Sequence, residues 1–426
     1  MQNNDSNLLT HTHSINFPRI FGFLLFVGMM AAGYYYNLTF VQLGLEDFGT
    51  NWLGLSEISI ARDMALLAIF TCFIALAFGW WMMHRGLGRQ FRVKLQISFG
   101  VILTQTILTA ILPVVHSESV FIAWLVLVSC ALGIGVPVMF SLTIDLVPVK
   151  QRGVAAALVT ASAYFAAEVL SKQWDFAAYR EQLLLVLIGG CLGMGILAFL
   201  RHPWLDILAQ QHQQPAFAIG RFVRTKTNPN PRSSRRVIGV IVAMFGIYFV
   251  DSLGFLRLLK VPGFMETTWQ SPIFSERLFI AGVHIVGALI AGVLYSALTE
   301  RQLYFWILGL FALTHLQYSL HIRATGDMGT VLAFPMLYAL AVSLYTVVNF
   351  AIWADLSTPD TIPINSALGV ALSAWTATFL STGLAIYWQG QGMSLERHIQ
   401  IVDSLAILLF LALLVLAFLR KPEAIT

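Results

Sequence analysis

Charge is what this sequence has least of. Asp, Glu, Lys and Arg together make up 11% of its 426 residues, against about 25% in an ordinary soluble domain. With 58% apolar residues and a mean hydropathy of +0.77, too few ionic groups remain to clothe a surface in water, so the solvent is lipid. Cysteine is scarce as well. Cys72, Cys130 and Cys191 each sit in an apolar run without CxxC spacing, which excludes a disulfide framework and a thiolate metal site. No Walker loop is present, so coupling to ATP is excluded; no GxSxG or HExxH appears, and an enzyme is not expected. The ten histidines are scattered and make no metal cluster, and no cofactor is expected. Basic residues lie in loops without interleaved aromatics, which excludes nucleic acid as a partner.

What the sequence does have is long apolar runs. Stretches of roughly 18 or more apolar residues read as membrane-spanning helices. Divided at charged, Gly, Pro and Asn punctuation, the chain gives about twelve: 18–45, 57–83, 93–115, 119–147, 153–172, 182–201, 236–259, 276–298, 303–322, 329–355, 363–388 and 397–420. The first could pass for a cleaved signal peptide, with Arg19 preceding "FGFLLFVGMMAAG". It recurs in the second half of the chain, so a permanent helix is expected. The one long polar stretch, 202–235, contains "QQHQQP" and "RTKTNPNPRSSRR". It reads as a flexible linker, with affinity of its basic end for anionic headgroups a minor addition.

The two halves repeat. A shift of 213 places Gly33 on Gly246, Tyr35 on Tyr248, Asp63 on Glu276 and Gly79 on Gly292; a shift of 210 places Asp145-Leu146 on Asp355-Leu356 and Ala161 on Ala371. "LAFLRHP" at 197–203 returns as "LAFLRKP" at 416–422. Parallel six-helix repeats place a binding site between them near mid-membrane. Lys and Arg divide 17 to 8 between the two sides, with both termini and the linker on the richer one. The positive-inside bias makes that side cytoplasmic, and a bacterial inner or other plasma membrane is expected.

Two local stretches carry a resemblance. "DLVPVKQRGVAAAL" (145–158) offers Asp145, Pro148, Arg152 and Gly153 in order, and "GWWMMHRGLGRQFR" (79–92) offers Gly79, Gly88 and Arg89. With twelve spans as six plus six, the chain resembles the major facilitator superfamily of secondary transporters over almost its whole length. The second stretch departs from the family pattern, since Arg85 stands where an Asp is usual, and the helix-five Gly-Pro of drug/proton antiporters is absent. The resemblance implies an all-α integral membrane protein of two pseudo-symmetric six-helix bundles. Expected boundaries are a tail at 1–17, bundles at 18–201 and 236–420, the linker at 202–235 and a tail at 421–426. It also implies alternating access around a site lined by helices 1, 2, 4, 5, 7, 8, 10 and 11, and a monomer whose partners are the bilayer, a small solute and protons.

Charged residues at mid-depth cost at least about 2.5–3.5 kcal/mol, so each is a functional candidate. Asp251 lies in "GIYFVDSLGF" with Tyr248 and Phe255 on its face, and is read as a cavity carboxylate that carries a proton or as a structural brace. His284 lies among small residues, and is read as a proton switch or a packed histidine; His315 reads as structural. Glu168, whose repeat partner is Thr378, is a further cavity candidate. Tyr35 and Asn37, from "GYYYNLTFVQ", complete the expected cavity set of Tyr35, Asn37, Glu168, Tyr248, Asp251 and His284. Gln105 and Asn349 are read as amides satisfied by neighbouring helices. Arg62-Asp63 and its repeat counterpart Glu276-Arg277 are read as an outer gate or as interface charge. Arg152 is expected to neutralise Asp145 in a cytoplasmic latch, with Arg89 nearby. Two further readings stay open: a non-transporting receptor or assembly factor on the same scaffold, and an uncoupled facilitator.

Overall fold

The computed structural model describes residues 6–170, 176–223, 231–259, 271–299, 302–303, 305–307, 309–315 and 333–419. Ten helices among them are long and apolar enough to cross a membrane. In chain order, α1 is Ser6–Tyr36, α2 Glu57–His84, α3 Phe91–Ile111, α4 Glu118–Ser141, α5 Arg152–Leu170 and α6 Phe176–Phe199. In the second half α7 is Pro231–Leu259, α8 Phe274–Ala297, α10 Ala333–Asp355 and α11 Ile362–Gly390. Between them runs α9, the shorter apolar helix Phe305–His315, and α12, Leu395–Leu419, closes the chain. The protein is thus an all-α, multi-pass integral membrane protein, and each expected span has its helix. The expected C-terminal tail, part of spans nine and ten, and Lys172, Arg224, Lys226, Lys260, Arg301, Arg323, Arg420 and Lys421 of the charge count lie outside the described residues.

The helices face lipid with side chains that water would reject: Phe73, Leu185, Leu192, Ile196 and Val293 are all more than 60% exposed. The opposite faces are small. A Cβ on Gly153 of α5 would stand 2.7 Å from the Gly292 carbonyl of α8, and one on Gly292 would stand 2.8 Å from the Ala157 Cβ. Only glycine allows that approach, so α5 and α8 pack backbone to backbone across the chain's two halves. Helices α2 and α11 do the same.

Besides the short π-helical Phe48–Trp52, two longer stretches among the described residues depart from α winding. Asn37–Gly44, continuing α1, and Ala367–Thr376, within α11, are π-helical. Such winding recurs at functional sites because it turns side chains that α geometry would not place together.

The linker is not a flexible loop along its first part. Pro203–Gln210 is a helix, with Leu205 and Leu208 buried on one face. Trp204 packs edge-on to Phe21 at 4.8 Å, and Asp206 pairs with Arg92 at 2.9 Å. Further on, the Gly220 and Phe222 amides donate to the Ser357 and Asp355 carbonyls at 3.1 and 2.9 Å. Residues 224–230 lie outside the described residues; helix resumes at Pro231. The N-terminal tail is likewise helical from Ser6.

Candidate functional site

A cavity with an empty volume of about 1090 Å³ lies between the two halves. It is lined from α1 and its π-helical continuation, α3, α4, α5, α7, α10 and α11. Helices α2 and α8, expected in the lining, instead pack across the interface; α3 contributes Gln105 in their place.

Asp251 is in this wall, 7% exposed, and its two oxygens are separately held. The Tyr338 hydroxyl donates to Oδ1 at 2.9 Å and the Tyr345 hydroxyl to Oδ2 at 2.6 Å. These tyrosines are two helical turns apart, so they share one face of α10. The neighbours of Asp251 on α7 complete the arrangement. Phe255 stacks on Tyr338 at 5.8 Å, and Tyr248 meets Tyr345 edge-on at 5.0 Å. A hydrogen bond to a charged group contributes about 1.5–3 kcal/mol. Two of them offset a mid-membrane charge cost of about 2.5–3.5 kcal/mol, so the carboxylate is tolerated without a cation beside it. His315, read as structural, brings Nε2 to 3.9 Å from Oδ1.

Asn37 and Tyr248 also line the cavity. Tyr35 does not: its hydroxyl donates to Gln182 Oε1 at 3.3 Å, on α6. Tyr34 takes its place, within 2.7 Å of the Tyr164 hydroxyl, which in turn is 3.1 Å from Thr346 Oγ1. Glu168 and His284 are not in the lining either. They sit behind Tyr164, whose ring stacks on His284 at 4.4 Å. His284 Nδ1 is 2.9 Å from Ser343 Oγ, and Nε2 is 3.8 Å from Glu168 Oε1. Both Glu168 oxygens are buried without a hydrogen bond. Its repeat partner Thr378 does reach the cavity, as do Gln105 and Asn349. Tyr34, Tyr164, Tyr338, Tyr345 and Trp375 were missed from sequence. The seven-residue spacing of Tyr338 and Tyr345 was the available signal, meaningful only once α10 is known to face α7.

At the end carrying the linker, Arg152 and Asp145 do not pair. Arg152 reaches across to Asp355, the repeat counterpart of Asp145, at 2.8 Å, with both side chains buried. It also donates to the Ala354 and Phe217 carbonyls at 2.9 and 2.7 Å. The Tyr295 hydroxyl donates to Asp355 Oδ2 at 2.7 Å. Asp145 instead pairs with the buried Lys94, with His212 Nδ1 at 3.1 Å. Arg89 forks onto Asp360 at 2.7 and 2.5 Å. A second void of about 240 Å³, sharing Met30 and Phe350 with the cavity, separates it from Arg152.

At the opposite end, Arg62 does not meet Glu276. It bonds its neighbour Asp63 at 2.9 Å, and Glu118 of α4. Glu276 accepts from Ser271 Oγ at 2.6 Å, while Arg277 lies near the Phe274 ring at 5.7 Å. The expected gate across the two halves is therefore replaced, for Arg62, by a network within one half.

No family model and no curated protein sequence matches the chain. Solved structures do. The chain is similar to the proton:xylose symporter XylE, bound there to 6-bromo-6-deoxy-D-glucose, at TM-score 0.62 and 12% identity over 94% of this chain and 96% of that one. It is similar to a bacterial homologue of the iron transporter ferroportin, in its outward-facing state with soaked iron, at 0.60 and 14% over 94% and 98%. It is also similar to the human organic anion transporter MFSD10, at 0.57 and 14% over 92% and 97%. At these identities the likeness establishes the fold alone: the chain has the major facilitator fold over more than nine-tenths of its length.

Proposed function

We propose that the protein is a secondary active transporter that moves a small, partly apolar solute by alternating access. The observation that carries this reading is the cavity itself, whose wall is built from both halves of the chain. Relative movement of 18–201 and 236–420 about the 202–235 linker exposes such a wall to one side of the membrane at a time. Asp251 is the leading proton-coupling group, with His284 a second, reached from the cavity only past Tyr164. Arg152, Asp355 and Arg89 with Asp360 act as the gate at the linker end, with Lys94–Asp145 bracing it. Arg62, Asp63, Glu276 and Arg277 border the other end. We assign the termini to the cytoplasm, on the Lys/Arg imbalance, and take the monomer as the working unit of a plasma-membrane protein.

The test is flux. Purified protein in liposomes, given a pH gradient and a panel of labelled solutes, should accumulate one of them saturably, and Asp251→Asn should abolish accumulation against a gradient. Saturable flux indifferent to the gradient would make it an uncoupled facilitator. No flux above protein-free liposomes would favour the receptor or assembly-factor reading.

A further inference from the structure

The chemistry of the cavity wall narrows the solute class, given the transporter reading above. Among the described lining residues, Asp251 is the only Asp, Glu, Lys, Arg or His. Nine more are aromatic, and their polar ends are turned to one another. The Tyr338 and Tyr345 hydroxyls are committed to Asp251, and Tyr34 and Tyr164 face each other. Among the amides, Asn349 accepts from Trp353 Nε1 at 2.8 Å. What the aromatic wall leaves for a solute is ring faces and one carboxylate, beside the neutral polar side chains of Asn37, Gln42, Gln105, Ser252 and Thr378.

A neutral polyol could draw on those few neutral groups, Asn37 Oδ1 among them, but the phenols are already committed and the one charge in the wall would go unmatched. An anion would be stripped of water beside a carboxylate, with no lining cation to receive it. An organic cation meets both available features. Ring faces attract a cation through their quadrupoles, and more strongly when it is desolvated. Each Asp251 oxygen keeps a lone pair beyond the one its tyrosine uses. The tyrosines also fix the carboxylate in place before any ligand arrives.

We propose that the solute is an organic cation, a protonated or quaternary amine on an apolar body, which pairs with Asp251 inside the aromatic cavity and competes there with a proton. A proton on Asp251 removes the charge the cation needs, so cation and proton occupy the carboxylate in turn. Exchange on that basis moves one positive charge each way. Other titratable or charged groups near Asp251 or on helices packed against α7 are Tyr34 of α1, Tyr338, Tyr345 and Asp355 of α10, His315 of α9, Tyr387 of α11, and Glu396, Arg397, His398 and Asp403 of α12. His398 Nε2 is occupied by the Leu253 carbonyl at 2.7 Å. Protonation of His315 would also oppose a cation, so it needs its own control.

The experiment is equilibrium binding to the detergent-purified full chain. The probes are benzyltrimethylammonium, its uncharged carbon isostere neopentylbenzene, benzoate and xylose. Benzyltrimethylammonium should bind at alkaline pH without proton release and weaken as pH falls, with release rising towards one proton per cation bound where the free carboxyl is protonated. Asp251→Asn should cost at least tenfold in its affinity and remove the proton release, while neopentylbenzene binding, which reports an intact cavity, persists. Tyr345→Phe should weaken the cation less, and His315→Gln should keep the competition. Binding of benzoate or xylose in preference to the cation would overturn the proposal. So would cation binding indifferent to Asp251→Asn, or no binding of the cation by folded protein. Flux separates this from the transporter reading: a cation that binds without crossing the liposome removes transport alone, and xylose or benzoate flux without cation binding removes the solute class alone.

Discussion

The two ends of the interface between the halves are held by different physics. At the linker end the bonds are ionic, buried and shared among several segments. Arg152 ties α5 to Asp355 of α10 and to the linker at Phe217, and Tyr295 of α8 secures the other Asp355 oxygen. At the opposite end the crossing contacts among the described residues are sparser. Gln389 Nε2 donates to Glu57 Oε1 at 2.7 Å, Glu168 stands 3.8 Å from His284, and a Cβ on Gly383 would lie 2.9 Å from the Ala61 carbonyl. Of the acids and bases there, Arg62, Asp63 and Glu118 bind within one half. The difference teaches where this conformation is fastened. The linker end must break a buried, hydrogen-bonded ion pair to open, whereas the opposite end must separate packed helices, one neutral-to-charged hydrogen bond and the longer-range attractions of Glu168 for Arg277 and of Glu57 for Arg257.

Arg152→Ala should therefore have the largest effect. Removing one partner of a buried pair leaves a charge uncompensated and costs about 3–5 kcal/mol. Gln389→Ala, at the opposite end, removes a hydrogen bond of about 1.5–3 kcal/mol at most, since its acceptor is partly reached by water. Thermal unfolding in detergent should show the first variant well below the second. Cysteine labelling at the linker end should rise in Arg152→Ala alone. Equal losses from the two would dissolve the contrast between the ends.

How much of this was readable in advance differs by kind of information. The spans were legible because length and apolarity are additive along the chain. Asp251 stood out because a carboxylate in such a run is costly wherever it points. Which tyrosine of Tyr34, Tyr35 and Tyr36 faces the cavity was not legible: adjacent residues on a helix differ by about a quarter turn or more, and the repeat offset favoured Tyr35. The partner of Arg152 was missed because Asp145 is near in sequence, while Asp355 is brought in by the second half. The pairing of Lys94, at the start of its span, with Asp145 was not legible either, since the two lie on different helices and meet only when both are buried. The docked linker was hidden for another reason. Its polar, glutamine-rich composition matches flexible segments, and its capture through the Gly220 and Phe222 amides leaves no side-chain signature.

Gly292→Val should come next in size. Its Cβ would press on the Gly153 carbonyl at 2.8 Å and on Ala157. Overpacking of this kind costs about 1–3 kcal/mol, and backbone cannot move aside as a side chain can. The substitution wedges α5 from α8 at the end the ion pair fastens. Lower thermal stability should thus come with raised linker-end labelling, in the same direction as Arg152→Ala. A double variant tests the coupling. If the wedge already loosens the Arg152–Asp355 contact, the two losses should sum to less than their separate values. Full additivity would mean that packing and ion pair fasten the end independently.

The smallest effect is expected at Arg89, and it sharpens the comparison by staying at the same end. Arg89 and Asp360 also join the two halves, through two hydrogen bonds, but their side chains are 59% and 49% exposed. Hydrogen bonding to Asp360 raises the Arg89 pKa above its already high ordinary value, so its charge does not change across the accessible pH range. Salt is the variable that reaches it. An exposed pair contributes about 0.2–1 kcal/mol and is screened. Arg89→Ala should therefore lower thermal stability slightly at low ionic strength and not measurably at high. The loss from Arg152→Ala should be nearly the same at both. If the Arg89 loss were large and salt-independent, burial would not be what distinguishes the two pairs, and the fastening of the linker end would have to be assigned to its outer rim.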